Sequence, residues 1–439
     1  MKSNKSRYFQ FFLIVIAAGA IFPIMYLRQS YQETILEVFN ISLSQLNIIY
    51  SVLGIVFVIG YFPSGLLSDK FSAKKLLAIS LFGTAVGGFL FAQVPSYGSV
   101  ILCFCIWGTF SIFTFWSAHM KLVKLLAKQE EEGRFFGILD GGRGAVEAAL
   151  ALVAAFIFAG ILGASDNITD KRAAIVAVIY MYSFVLLATA VLVAIFVKED
   201  KNEKTVVKNA EEPKEKFKFS DVKLLFRNKT IFLMSAIIFM AYIVTWTVYY
   251  LSGYMQTNIG INAVTVSQVM VVSLWMRPVG GILGGFLADR LGKENTLKTA
   301  MLLGSVCLVG LGFIPYVTSH ILIYMVIILL SILIYMIRGT YWSLLGQCRI
   351  DKKTTGVAIG TVSLFGYTPD IILPLIINGL FTRFGDQGGY NAYFLFSAAI
   401  GVVGFALIIL FASVTKRRNA RLDKVLNQKE ARQLSMAAE

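Results

Sequence analysis

Gly60-Tyr61-Phe62-Pro63-Ser64-Gly65-Leu66-Leu67-Ser68-Asp69-Lys70-Phe71-Ser72-Ala73-Lys74-Lys75 closes a long apolar run with small residues, then an acid, then bases. It returns 220 positions later as Gly280-Gly281-Ile282-Leu283-Gly284-Gly285-Phe286-Leu287-Ala288-Asp289-Arg290-Leu291-Gly292-Lys293. Gly60 matches Gly280, Gly65 matches Gly285, Asp69 matches Asp289 and Lys70 matches Arg290. A repeat of this length makes the chain two similar halves.

The composition says what kind of halves. Apolar residues make up 57% of the 439 and charged residues only 15%, and the mean hydropathy is +0.72. A soluble chain of this size needs more polar surface. The apolar residues fall in twelve runs, at about 8–30, 44–67, 76–93, 98–120, 135–163, 173–197, 230–256, 264–288, 297–317, 320–346, 354–381 and 390–414. Each is long enough to cross roughly 30 Å of hydrocarbon as a helix, and a helix satisfies its own backbone there. The strand-like alternation of an outer-membrane barrel is absent. The expectation is an all-α membrane protein of twelve transmembrane helices in two pseudo-symmetric six-helix bundles. Its parts are an N-terminal bundle over 1–197, a linker over 198–229, a C-terminal bundle over 230–415 and a basic tail over 416–439.

A net charge of +15 would point a soluble protein toward nucleic acid. Here it reads as orientation. With the N-terminus inside, the inner segments hold 33 of the 40 Lys and Arg, and the outer loops hold Lys171, Arg172 and Arg383. That asymmetry places both termini in the cytoplasm and the lipid bilayer, not nucleic acid, around the chain. Cys103, Cys105, Cys307 and Cys348 lie in apolar runs and read as small core residues. The first run is longer than a signal-peptide core and reads as retained. The stretch from Gln29 to Gln45 reads as helix extending outside followed by a short loop. Phe217 to Phe226, in the linker, fits an interfacial amphipathic helix.

The repeat extends beyond its first motif. Thr114-Phe115-Trp116-Ser117 matches Thr340-Tyr341-Trp342-Ser343, and Tyr26-Leu27 matches Tyr250-Leu251. Internal repeats of six spans point to a membrane transporter. The Gly-x-x-x-Asp-basic motif between spans 2 and 3, echoed between spans 8 and 9, resembles the signature of the major facilitator superfamily. The resemblance covers nearly the whole chain. It implies the major facilitator fold, a central substrate path and alternating access. It also implies that Gly65, Asp69, Lys70, Gly285, Asp289 and Arg290 act at the inner gate. Tyr26-Leu27-Arg28 and Gly133-Arg134-Phe135-Phe136-Gly137 are similar to the sugar-phosphate permease group. Span 7 lacks that group's second arginine; Ser252 stands near the matching position.

Seven charged residues fall inside spans: Arg28, Asp140, Arg143, Glu147, Arg277, Arg338 and Asp370. Each costs roughly 2.5–3.5 kcal/mol at a bilayer centre. Unpaired, the seven together cost more than a typical folding stability of about 5–15 kcal/mol, so most must pair or face water. Asp140, Arg143 and Glu147 stand three and four apart on one helical face. They fit a self-neutralised stripe or a switchable pair between the halves. Glu147 and Asp370 match under the repeat and fit proton carriers, or simple ion-pair partners such as Asp370 with Arg338. Outside span 5 the balance is three bases to one acid. Arg28, Arg277 and Arg338 therefore fit an anionic ligand, since a guanidinium fork suits carboxylate, sulfonate or phosphate. Arg28 also fits a snorkelling residue near the outer interface, and Arg277 a packing one. Tyr26, Trp246, Tyr250 and Trp342 fit stacking on a ligand or plain core packing.

Three functions remain. The first is a secondary transporter of a small organic anion of sugar-acid, sugar-phosphate or sulfonate type, working as a monomer without a cofactor. Its coupling partner would be a proton or a counter-anion, by symport or antiport. The second is a proton-coupled transporter of a neutral or cationic solute. The third is a non-transporting sensor. No phosphate loop, metal cluster or nucleophile triad supports an enzyme.

Overall fold

The computed structural model describes residues 4–127, 132–198, 229–313, 319–349 and 355–438. The linker's Phe217–Phe226 helix lies outside them. Among the described residues the chain is helical, with no strand. Eleven helices are long and apolar enough to cross a membrane. The last of these, Thr361–Arg421, runs for 61 residues, about 90 Å as straight helix and far longer than one crossing. It is two spans. Asn378 lies beside Ser44, at the same end as Tyr390 beside Gln32, whereas Arg418 lies back beside Thr230 where span 7 begins. The reversal is at Gly385, whose φ of 69° suits a residue without a side chain.

The twelve spans therefore comprise Ser6–Phe39, Leu43–Tyr61, Ala73–Phe91, Tyr97–Leu126, Ile138–Leu162 and Ile168–Phe196 in the first half. The second half has Lys229–Thr257, Ala263–Leu291, Lys293–Phe313 and His320–Cys348, then spans 11 and 12 on either side of Gly385. Span 1 packs on spans 5 and 6, span 3 on span 6, span 8 on span 10 and span 9 on span 12. The halves meet along two seams, span 5 with span 8 and span 2 with span 11.

The stretch after Gln29 is helix to Phe39 followed by a short turn at Asn40–Ser42, and Gln29, Ser30, Gln32 and Thr34 are buried within the protein there. Gln32 persists there with a hydrogen-bond partner in the other half, described below.

The duplicated motifs also mark helix irregularities. A short 3-10 helix at Pro23–Tyr26 interrupts span 1, and its repeat mate at Thr247–Tyr250 interrupts span 7. Span 4 carries a π-helix at Thr109–Thr114, and span 10 changes to 3-10 helix at Tyr341–Cys348. Both of the latter breaks adjoin the repeated Thr-aromatic-Trp-Ser. The chain end of span 10 is capped from span 12: Arg418 Nη1 donates to the Cys348 carbonyl at 2.6 Å, and Arg349 pairs with Asp423.

Close helix approach at span 8 depends on glycine. A Cβ on Gly280 would lie 2.5 Å from the Ile332 carbonyl oxygen and 2.8 Å from Tyr335 Cβ, whereas one on Gly281 meets nothing within 4 Å. Gly280→Ala is thus expected to cost about 1–3 kcal/mol by overpacking spans 8 and 10, and Gly281→Ala close to nothing. Paired thermal melts in detergent check this; equal midpoints would contradict it.

Candidate functional site

Both seams are shut toward one end of the molecule and open toward the end that carries the chain termini. On the first seam Ala151, Ala155, Val271 and Leu274 pack together. Gly281 and Gly285 follow Leu274 by seven and eleven residues, on the same face of span 8. Yet both are exposed, with open space where a Cβ would stand. Facing them, Asp140 and Gly141 are exposed too. On the second seam Asn47 Nδ2 donates to Asn378 Oδ1 at 2.7 Å, and Ser51 Oγ donates to the Ile371 carbonyl at 2.8 Å. At Gly54 a Cβ would lie 2.7 Å from the Asp370 carbonyl oxygen. Seven and eleven residues on, Tyr61 is exposed and Gly65 faces open space. The halves diverge below Glu147 and Arg277 on one seam and below Gly54 and Asp370 on the other.

The predicted charges gather at this fork. Glu147 accepts from Arg143 Nε at 3.0 Å, one helical turn away, and also pairs with Arg277 from the other half. Gly144 makes that second pair possible, because the Arg277 side chain crosses it with Cδ 3.1 Å from where a Cβ would be. The face predicted for Asp140, Arg143 and Glu147 thus forms in part: Arg143 and Glu147 pair, while Asp140 stands exposed toward the open end. Arg143 also lies over the Phe22 ring, 4.6 Å from its centroid.

Arg338 sits between the two seams, in electrostatic reach of both Glu147 and Asp370. Among the described residues no carboxylate lies within salt-bridge distance of it, and it is half-buried. Tyr242, Tyr249, Tyr335 and Tyr341 are its electrostatic neighbours. Asp370 accepts from Trp246 Nε1 at 2.9 Å and lines one crevice with Tyr26, Gly54 and Trp246. Tyr26 stacks on Tyr249 across the halves, with ring centroids 5.0 Å apart. Trp342 donates to the Tyr367 hydroxyl at 2.9 Å.

Arg28 and Tyr250 are elsewhere, in the seal at the shut end. Arg28 is fully buried, neither snorkelling nor facing the fork. It donates to Asn47 Oδ1 at 3.0 Å and to Gln32 Oε1 at 2.7 Å. Its guanidinium lies 4.2 Å from the Tyr250 ring centroid and 4.9 Å from that of Tyr50. Tyr250 donates to Asn47 Oδ1, Ser252 Oγ donates to the Arg28 carbonyl, and Gln32 Nε2 donates to the Tyr390 hydroxyl at 2.6 Å. This network ties spans 1 and 2 to spans 7, 11 and 12. Sequence reading missed Gln32, Asn47, Asn378 and Tyr390; the only signal was their polarity within apolar surroundings.

The motif residues lie at the open end. Lys70 is exposed, and Lys121 Nζ donates to the Ser68 carbonyl at 2.5 Å, capping the end of span 2. Arg290 lies over its own neighbour Phe286, 4.3 Å from the ring centroid. Asp289 is exposed and makes no ion pair among the described residues. The side chain of Asp69 is outside the described residues.

Comparison with known proteins agrees with this fold. The chain is 27% identical over 415 residues to inner membrane protein YqcE of Escherichia coli K12, covering 93% of this chain and 95% of that protein. It is 22% identical to inner membrane protein YihN of the same organism, covering 95% and 99%. Its fold matches that of a bacterial homologue of the human lysosomal transporter Spinster, inward-facing and unoccupied, with a TM-score of 0.75 at 11% identity, over 94% and 98% of the chains. It also matches nucleoside transporter NupG, with a TM-score of 0.72 at 14% identity, over 92% and 99%. The family model for the Major Facilitator Superfamily matches residues 8–374. This is an integral membrane protein of transporter fold, and the chain belongs to the Major Facilitator Superfamily.

Proposed function

We propose that the chain is a secondary active transporter of a small organic anion, working by alternating access as a monomer without a cofactor. The observation that carries the reading is Arg338: a half-buried guanidinium at the apex of the fork with no carboxylate partner among the described residues. A cation kept in low dielectric without a counter-charge favours an anionic ligand. Arg277 stands close by, tied to Glu147, and the Tyr26 and Trp246 rings offer stacking faces. The basic asymmetry of the loops supports cytoplasmic termini in the inner membrane, so the open fork faces the cytoplasm. In that state Gly65 and Gly285 of the gate motifs face open space, and Lys70, Asp289 and Arg290 are exposed. The motifs are expected to latch when the fork closes.

Asp370 supports a second reading. It accepts from Trp246 and forms no salt bridge among the described residues, so it can take a proton when the halves move. Anion and proton would then travel together, with a counter-anion as the alternative coupling. The enzyme and sensor readings find no support.

The test is binding to purified protein in detergent, using acids matched to neutral analogues: galacturonate with galactose, and gluconate with sorbitol. A ligand of the folded state raises stability by about 2.7 kcal/mol at a hundredfold excess over Kd. Arg338→Gln is expected to weaken acid binding by tenfold or more, since a charge-assisted hydrogen bond contributes about 1.5–3 kcal/mol. Unchanged affinity in Arg338→Gln, with a normal melt, would remove the anion reading.

A further inference from the structure

Gln29 was not among the residues that the sequence pointed to, and the charge pairing does not use it. It directly follows Arg28, but turns to a different set of neighbours. It is 8% exposed, and its amide nitrogen has no hydrogen-bond partner of ordinary geometry. The hydroxyl of Tyr335 stands beside it. Tyr335 is 5% exposed and packs against Gly280, one turn from Arg277 on span 8. Its own electrostatic neighbours are Arg277, Arg338 and Glu147. A buried amide held only by a poorly aligned hydroxyl costs up to about 1–3 kcal/mol, and it costs least where a ligand oxygen completes it.

The charges around this pair can be counted. With Asp370 ionised, Arg143, Arg277 and Arg338 face Glu147 and Asp370, which leaves one positive charge in surplus at the apex. Asp140 stands apart, exposed toward the open end. One surplus charge matches a monovalent head, a carboxylate or sulfonate, better than a doubly ionised phosphate ester. The neutral groups nearby are donors or hydroxyls, so the rest of the ligand must offer oxygen acceptors.

We propose that Gln29 and Tyr335 form a neutral subsite beside the Arg277–Arg338 cations, selecting a monovalent anion that carries a hydroxyl or carbonyl oxygen next to its acidic head. The proposal rests on the anion reading and adds the class of anion. Gln29 is thereby a specificity residue: the arginines hold the charge and the amide reads the chain.

The experiment measures Kd by calorimetry for hydroxylated and plain acids of like size: gluconate and galacturonate against hexanoate, and 2-hydroxyethanesulfonate against ethanesulfonate. The wild type is expected to prefer a hydroxylated member by about tenfold or more, because a site built for a hydroxyl leaves its polar groups unpaired without one. Gln29→Leu is expected to abolish that preference while leaving the Kd of the plain acid unchanged. Tyr335→Phe, which removes one oxygen and keeps the shape, is expected to reduce the preference in the same direction. A preference that survives both substitutions overturns the subsite, as does an equal loss for both acids. Acid binding that depends on Arg338 but ignores hydroxyls overturns the subsite and leaves the anion reading standing. Binding of no acid in the set, or binding indifferent to Arg338→Gln, ends both.

Discussion

Glu147→Gln is expected to lower the stability of the folded protein by roughly 2–3 kcal/mol. Glu147 is the one carboxylate shared by Arg143 and Arg277, and its side chain is 11% exposed. Neutralising it leaves two guanidinium groups facing each other across a seam. Breaking a fully buried pair costs about 3–5 kcal/mol. The figure is lower here because both arginine side chains, 20% and 19% exposed, retain some access to water. The loss falls on the contact between halves more than on either bundle. A double mutant, Glu147→Gln with Arg277→Gln, should recover part of it, since the uncompensated cation is then gone. Thermal melts of the two single mutants and the double mutant give the coupling. A single mutant as stable as wild type would remove the pair from the support of the fold.

Gly54→Ala is expected to shift the molecule away from the arrangement seen here. The added methyl would meet the backbone of Asp370, with the carbonyl oxygen at 2.7 Å and its carbon at 2.8 Å. Backbone cannot rotate aside as a side chain can. Spans 2 and 11 must separate at the point where their seam begins to open, and the Ser51–Ile371 contact lies one turn from it. Overpacking costs about 1–3 kcal/mol, which is roughly a 5–150-fold change in the balance between states. Spin labels at Asn40 and Asp386, exposed positions at the shut end on opposite halves, should report a larger fraction of long distances in a variant free of native cysteines. A distance distribution identical to that of the parent would mean that the seam relaxes locally and does not act as a fulcrum.

The architecture was legible in the sequence because a lipid-facing helix must announce itself. Length, hydropathy and a duplicated Gly-x-x-x-Asp-basic stretch constrain the twelve spans. The sequence even divides the long final run near the reversal at Gly385. The pairing of Arg143 with Glu147 was legible for the same kind of reason, since residues four apart share a helical face. Partners far apart in sequence were not. Gln32 meets Tyr390 across 358 positions, and Asn47 meets Asn378 across 331. No local pattern encodes such contacts, so the burial of Gln29, Gln32 and Thr34 within the protein was not foreseen. For Arg28 the lack of a carboxylate was visible in the sequence, and the amides and rings that enclose it were not. Arg277 could be seen as a charge, but its dependence on Gly144 required three dimensions.

The helix breaks of the repeated motifs bear on rotational phase. A 3-10 turn advances about 120° per residue where an α-helix advances about 100°, so four residues add roughly 80°. In spans 1 and 7 this happens at matching places, Pro23–Tyr26 and Thr247–Tyr250. The part of span 1 after the break therefore presents a different meridian, and Arg28 points into the seal while Tyr26 looks toward the fork. Spans 4 and 10 differ: one widens to a π-helix that ends at the first residue of its Thr-aromatic-Trp-Ser, and the other tightens to 3-10 helix from the second residue of its copy onward. The molecular two-fold axis is thus kept by one pair of helices and broken by the other. An asymmetric cargo cannot sit on a two-fold axis without one side giving way. In this protein the axis breaks in the helix that carries Arg338.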